Sequence, residues 1–261
     1  MLGAVLHPAL TARVGSLPDS RGVRAFLLDV EGTTTPIAFV YDVLFPYARR
    51  GLAGFLRAHA GDPEVRDALR RLQQEHRSDV EGNLAPPPWP DDGAIDPAIA
   101  YLGWLMDADR KSTALKALQG LVWQEGFRRG ELQGQVYPDV PPALARWRRQ
   151  GLSTFIYSSG SVLAQRLIFS RTAAGDLTPL LGGYFDTTTG PKKEAGSYRR
   201  IAAEIALPPR DVLFVSDSAD EVSAALDAGL RAALCARDGA PAFTATGAAI
   251  VRSFDVLAPG E

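Results

Sequence analysis

Asp29 and Glu31, separated by one valine, close a short apolar run in VRAFLLDVEGTT (23–34). An aspartate at the end of a buried strand is a candidate covalent nucleophile toward phosphorus. It splits one hard displacement into two easier ones. Such an attack works only if the negative charges of carboxylate and phosphate are offset. Mg²⁺ does this with oxygen ligands at about 2.0–2.1 Å while keeping several waters. Glu31 is the candidate acid/base. With a reference pKa of about 4.3 it is ordinarily ionised at neutral pH, and burial or a neighbouring anion raises that value. In a strict strand Asp29 and Glu31 point to the same side. Gly32 allows close backbone approach and Thr33 offers a hydroxyl. Taken alone, Asp-x-Glu-Gly after a strand is equally well an ordinary turn.

Three more motifs follow. In YSSGS (157–161), Ser158 and Ser159 with the N–H groups of Gly160 and Ser161 suit a phosphate at a helix N-terminus. The everyday alternative is a serine N-cap. In GPKKEAGSY (190–198), Lys192 or Lys193 can neutralise phosphate charge as a compact cation. Either is equally at home as a solvated surface residue. VSDSADEVSAALDAG (215–229) supplies Asp217, with Asp220 and Glu221 a turn later. Asp220 reads as an acid matched to a helix dipole, and Glu221 as a partner orienting the lysine or a metal-bound water. Asp29 and Asp217 are the natural carboxylate ligands for the metal, with waters, a substrate oxygen and the Glu31 carbonyl filling other positions. Order and spacing carry more weight than any single motif.

The elements that position these residues are short apolar runs, 23–30, 153–159 and 211–217, each ending in polar residues and followed by helix-like sequence. Shorter strand candidates lie near 185 and 233, and helical stretches precede the second and third runs at 141–151 and 194–207. This βαβ rhythm predicts an α/β fold, a Rossmann-like parallel sheet with helices on both faces. Ligands of such sheets collect at the carboxyl ends of the strands, near the switch in strand order. From about 40 to 130 the rhythm breaks into helical segments at 40–59, 63–79, 95–110 and 113–128, divided by the linker LAPPPWPDDG (84–93). The expected organisation is a loose extension at 1–22, a core of 23–35 and 131–261, and an all-helical cap of 36–130 inserted after the first strand.

The rest of the chain narrows the options. Its 261 residues are ample for a core, and the formal net charge of −2 sets up no field for collecting nucleic acid or anionic membrane. Arginine pairs at 49–50, 70–71, 128–129 and 148–149 are scattered solvated faces. The lone Cys235 excludes an intramolecular disulfide and a cysteine zinc cluster, and fits a reducing cytoplasm. His7, His59 and His76 are too few for a multi-histidine metal site; the latter two are expected in helical segments, at the surface or half-buried. Trp89, Trp104 and Trp123 are expected to pack the cap. No apolar run reaches the roughly 20 residues that span a bilayer, and the N-terminus, broken by Pro8, is not read as a signal peptide.

Together, DVEGTT, YSSG, the lysine after GP and SDSADE resemble the haloacid dehalogenase superfamily of phosphatases. DVEGTTTPIAFVYDVLFPYAR (29–49), VYPDVPPAL (136–144), YSSGSVLAQRLIF (157–169), GDLTPLLGGYFDTTTGPKKEAGSYRRIA (175–202) and LFVSDSADEVSAALDAG (213–229) look like its enolase-phosphatase branch, the acireductone synthases. Glu31 is the distinguishing residue, because the wider superfamily usually has aspartate there. The resemblance implies enolisation and then dephosphorylation of 2,3-diketo-5-methylthiopentyl-1-phosphate in methionine salvage. It implies one Mg²⁺ per subunit held by Asp29, Asp217 and the Glu31 carbonyl, and substrate bound by Ser158, Ser159 and Lys192. Lys192 is chosen over Lys193 by the GPK match alone. A monomer is implied too. The competing expectations are a related phosphatase acting on another phosphomonoester, and a receiver-like signalling module, against which the helical insertion and the YSSGS loop argue.

Overall fold

The computed structural model describes residues 22–90, 94–237 and 248–257. The expected extension, but for Gly22, and the last residues of the 84–93 linker lie outside the described residues. One sheet contains β1 (Ala25–Leu28), β2 (Ser153–Tyr157), β3 (Gly183–Phe185), β4 (Val212–Ser216), β5 (Arg231–Cys235) and β6 (Ala249–Val251). All pairings are parallel and the order is β3-β2-β1-β4-β5-β6. Along β1, Phe26 and Leu28 enter one apolar layer and Ala25 and Leu27 the other. In β4, Leu213 and Val215 divide from Val212 and Phe214 in the same way. The period of two persists although both faces are buried, which is why these strands read as unbroken apolar runs.

Between β1 and β2 the chain builds the inserted cap: α1 (Phe45–His59), α2 (Pro63–Glu81), α3 (Asp96–Asp107) and α4 (Thr113–Arg129). Local chemistry bounds them. Pro63 opens α2 at the first helical position. Ser112 caps α4 by accepting from the Leu115 N–H, and Gly130, at φ +75°, ends it in the left-handed region. A wider π-helical turn, Phe39–Leu44, precedes α1 where a plain helix is expected from residue 40. Helices α5 (Val140–Arg149) and α6 (Val162–Ser170) then cover the sheet face that shares its apolar layer with the cap, and α7 (Ala195–Glu204) and α8 (Ala219–Asp227) cover the other. Trp123 is buried in the shared layer, with Trp89 and Trp104 packed against it, as expected.

Three details differ from the sequence reading. β1 stops at Leu28, two residues early, because Val30 O turns to accept the N–H groups of Thr33, Thr34 and Thr35. The three-residue β6 is too short to show a period. His76 is buried, its Nε2 2.8 Å from the Pro87 carbonyl oxygen, because the proline-rich linker folds back over α2.

Candidate active site

Leu28 pairs with Ile156 on one side and Val215 on the other, so three strands release their chains at one edge. Strand order reverses between β1 and β4, where an open α/β sheet leaves its crevice. Asp29 sits there, 3 % exposed, its N–H donating to Val215 O at 3.0 Å.

Lys192 reaches Asp29 from the loop before α7. Its Nζ lies 2.5 Å from Asp29 Oδ1 and 2.7 Å from Glu221 Oε2, and the side chain is 8 % exposed. Burial alone would depress the ammonium's pKa; the charges of Asp29 and Glu221, with their hydrogen bonds, outweigh it and raise the value. The loop is tied down by Tyr198 Oη donating to Lys192 O at 2.6 Å and Tyr157 Oη donating to Gly190 O at 2.8 Å. Lys193 pairs instead with Asp220 at 2.7 Å, both well exposed. Geometry thus separates two lysines that sequence chemistry leaves equivalent.

Glu31 does not share a strand face with Asp29, because β1 has already ended. A tight turn places it: Gly32, at φ +70°, follows, and its N–H donates to Thr35 O at 2.8 Å. Glu31 Oε2 accepts from Ser158 Oγ at 3.2 Å. Withdrawal from water, and then the charge of Asp29, push its pKa up. Ser158 is 1 % exposed, and its Oγ also accepts the Gly160 N–H at 3.0 Å. Ser159 is exposed, and Ser161 supplies the N-cap of α6. The YSSGS loop therefore contains the cap its sequence allowed, at Ser161, and places Ser158 against Glu31, a contact the sequence did not announce.

Asp217 is the third acid. Burial, then repulsion from Asp29 and Glu221, push its pKa up to about 7. It has no hydrogen-bond or ion-pair partner among the described residues. A Cβ at Gly32 would stand 2.2 Å from Asp217 Oδ2, so only glycine lets the turn approach this carboxylate. An unpartnered, partly buried carboxylate beside Asp29 is a donor set that fits a hard cation. No group of three or more His, Cys, Asp or Glu side chains among the described residues is arranged to hold a metal. Ser216 was not foreseen: its Oγ lies 3.3 Å from Asp29 Oδ2 and 2.8 Å from Glu221 Oε2. Tyr198 was not foreseen either. Its six-residue spacing from Lys192 carries no recognisable signal.

Glu31 and Ser158 to Ser161 open onto a cleft of about 420 Å³ between core and cap. The cap side of this cleft is largely apolar, with Leu44, Phe45, Leu105, Met106, Leu115 and Trp123.

A parallel sheet under an inserted helical cap, with an aspartate after β1, a serine after β2, a buried lysine before α7 and an aspartate after β4, defines a class of hydrolase. The family model described as haloacid dehalogenase-like hydrolase matches residues 23–229, and the chain belongs to that family. Within it, the chain belongs with the enolase-phosphatases. It is 48 % identical over 241 residues to enolase-phosphatase E1 of Synechococcus elongatus, covering 92 % of this chain and 100 % of that one. It is 50 % identical to enolase-phosphatase E1 of Pseudomonas aeruginosa, covering 83 % and 91 %. Among solved structures, the UTR4 protein of Saccharomyces cerevisiae is similar at a TM-score of 0.71 and 32 % identity, covering 89 % and 99 %. Hydrolases of the family typically use Mg²⁺.

Proposed function

We propose that this enzyme is the enolase-phosphatase of methionine salvage, acting on 2,3-diketo-5-methylthiopentyl-1-phosphate. The observation that carries the reading is the cleft. Its floor is Glu31 and the serine loop, beside the buried Asp29–Lys192 pair, and its cap wall carries an apolar patch of Leu44, Phe45, Leu105, Met106, Leu115 and Trp123 together with Arg49, Arg110, Lys111 and Lys116. Such a site takes a phosphate at one end and an uncharged thioether tail at the other.

In this reading Lys192, Ser158, Ser159 and the N–H groups of the YSSGS loop bind the phosphate. Of the two acids lining the cleft, Glu31 and Asp109, Glu31 adjoins the serine loop. Its raised pKa brings it nearer the range of an effective base at neutral pH. Glu31 takes a proton from C1, the C1–C2 double bond forms, and the C2 oxygen takes a proton from solvent to become the enol hydroxyl, which leaves protonated Glu31 as the acid for the leaving oxygen in the next step. Asp29 then attacks phosphorus; the C1–O–P bond breaks at phosphorus, and the leaving oxygen takes a proton to give 1,2-dihydroxy-3-keto-5-methylthiopentene. Water hydrolyses the aspartyl phosphate and frees Asp29. Asp29, Asp217 and the Glu31 carbonyl would hold one Mg²⁺, whose chemistry is to offset charge between nucleophile and phosphate. Asp29 keeps its orientation through Lys192 and Ser216 throughout.

Residues 36–130 act as the cap that selects substrate, and 23–35 with 131–261 as the phosphatase core. The protein works as a cytoplasmic monomer on a small molecule, without nucleic acid or membrane. No helix among the described residues is long and apolar enough to cross a membrane.

The test follows phosphate release and enol absorbance from the diketone phosphate, with and without Mg²⁺. The enol is expected to rise and fall as phosphate appears, only with the metal, and Asp29→Asn should release none. A wild-type enzyme that turned over a simple alkyl phosphate faster than the diketone would favour the broader phosphatase reading instead.

A further inference from the structure

One face of α4 forms much of the cap wall. Ser112, Leu115, Lys116, Gln119 and Trp123 follow the helical repeat and all line the cleft. Of the polar groups on this face, Ser112 and Trp123 are engaged inside the protein, Lys116 is exposed, and Gln119 is neither. Ser112 caps its own helix and bonds Glu75. Lys116 Nζ donates to the Ser159 carbonyl at 3.4 Å. Trp123 Nε1 donates to Leu44 O at 2.8 Å. Gln119 is 6 % exposed, and its carboxamide has no hydrogen-bond partner among the described residues.

The carboxamide is not one of the fully buried unpartnered polar groups; it faces the cleft, so a substrate that displaces solvent there must offer it a partner or leave it unmatched, at about 1–3 kcal/mol. Its surroundings say where that partner sits. At the next residue α4 closes on the serine loop: a Cβ on Gly120 would lie 3.3 Å from Leu163 Cδ2 and 3.9 Å from Ser161 Oγ. Gln119 therefore opens into the cleft between the apolar wall and the loop of Ser158 and Ser159.

We propose that Gln119 is a specificity-determining residue whose carboxamide N–H donates to a ketone oxygen of the substrate. The proposal rests on the diketone reading above and deepens it. With the phosphate at the serine loop, the carbonyl carbons one and two bonds beyond the phosphorylated carbon lie next along the cleft, before the tail reaches Leu105, Met106 and Leu115. The donor bonds a carbonyl and strengthens as enolisation moves charge onto that oxygen. A substrate without a ketone leaves the amide unmatched, which is how a hydrogen-bonding site rejects analogues lacking the group.

The experiment compares kcat/KM for the diketone phosphate and for an unbranched alkyl phosphate in wild-type enzyme, Gln119→Met and Gln119→Glu. Met keeps the length without a donor; Glu keeps the shape, removes the donor and adds charge. Melting temperatures of both confirm folding. The ratio of the two kcat/KM values should fall by about 10- to 100-fold in Gln119→Met, and at least as far in Gln119→Glu, with the enol phase slowed. A ratio unchanged in a folded Gln119→Met protein overturns the role of Gln119 while leaving the diketone reading intact. A wild-type enzyme that prefers the alkyl phosphate overturns both.

Discussion

At the scale of single residues the two adjacent lysines make the sharpest contrast. Lys192 stands between Asp29 and Glu221, while Lys193 makes one solvent-exposed pair with Asp220. Removing the buried cation leaves carboxylates facing one another, and breaking a buried pair from one side costs about 3–5 kcal/mol. Lys192→Met should lower kcat by about 100-fold or more through lost charge neutralisation and lower the melting temperature. Lys193→Met should change neither beyond error, because exposed pairs contribute little. Phosphate-release assays and thermal melts on both variants check this, and equal losses would sink the distinction. Gly32 is the second such residue. Gly32→Ala would drive Asp217 aside and strain a left-handed backbone. A several-fold rise in the Mg²⁺ concentration for half-maximal activity is the expected result.

At the scale of elements, the 29–35 turn is held from behind. The Arg237 guanidinium donates to Thr33 O through Nε at 3.0 Å and Nη2 at 2.9 Å. Its Nη1 lies 2.6 Å from Asp139 Oδ2, and the rings of Tyr137 and Phe254 lie 4.5 and 4.6 Å from the guanidinium carbon. Burial would raise the Asp139 pKa, but the Phe254 N–H and Arg237 outweigh it and hold the value low. Arg237→Leu strands a mostly buried carboxylate and a backbone carbonyl, at about 3–5 kcal/mol. Because Arg237 acts through the turn, we expect kcat to fall along with stability, while Arg237→Lys, keeping charge but not the fork, recovers stability better than activity. Denaturant melts paired with kcat measurements on both variants test it; full activity in a folded Arg237→Leu protein would remove the brace from the mechanism. This element also shows what sequence could and could not supply. Strand ends at Asp29, Ser158 and Asp217 were legible because buried parallel strands are apolar runs that stop at acids and hydroxyls. The cap helices were legible from their spacing. Arg237, Ser216, Tyr198 and Gln119 were not, since each matters through a contact between distant segments. Nothing local to Arg237, 204 residues from Thr33, marks it as a partner. The same-side argument for Asp29 and Glu31 assumed a strand that Val30 had already turned out of the sheet.

At the scale of the whole molecule, the acids at the strand switch oppose the acid of the brace in their response to pH. Asp139, with its pKa depressed on folding, contributes stability above its unfolded value of about 4 that is lost as pH falls through the lower folded value. Asp217, raised to about 7, does the reverse. Between about pH 4 and pH 7 the folded protein holds a proton there that the unfolded chain has released, so rising pH favours unfolding. Glu31 and Glu221, raised first by burial and next by the charge of Asp29, add to the same slope. Lys192, raised above its ordinary value, contributes up to alkaline pH and leaves the slope near neutrality unchanged. The metal-free enzyme should therefore be most stable at mildly acid pH and lose melting temperature as pH rises through about 7. A divalent cation bound by the ionised acids stabilises the folded state by mass action, so Mg²⁺ should raise the melting temperature more at about pH 8 than at about pH 5. Asp217→Asn should flatten the metal-free curve, melting above wild type at about pH 8 with the gap closing toward about pH 5, and should lose much of the response to Mg²⁺. Calorimetric melts in chelator and in Mg²⁺ across this range decide the matter. A metal-free melting temperature that climbs steadily through neutrality would mean that the crowded carboxylates at the sheet edge are relieved by contacts other than a cation.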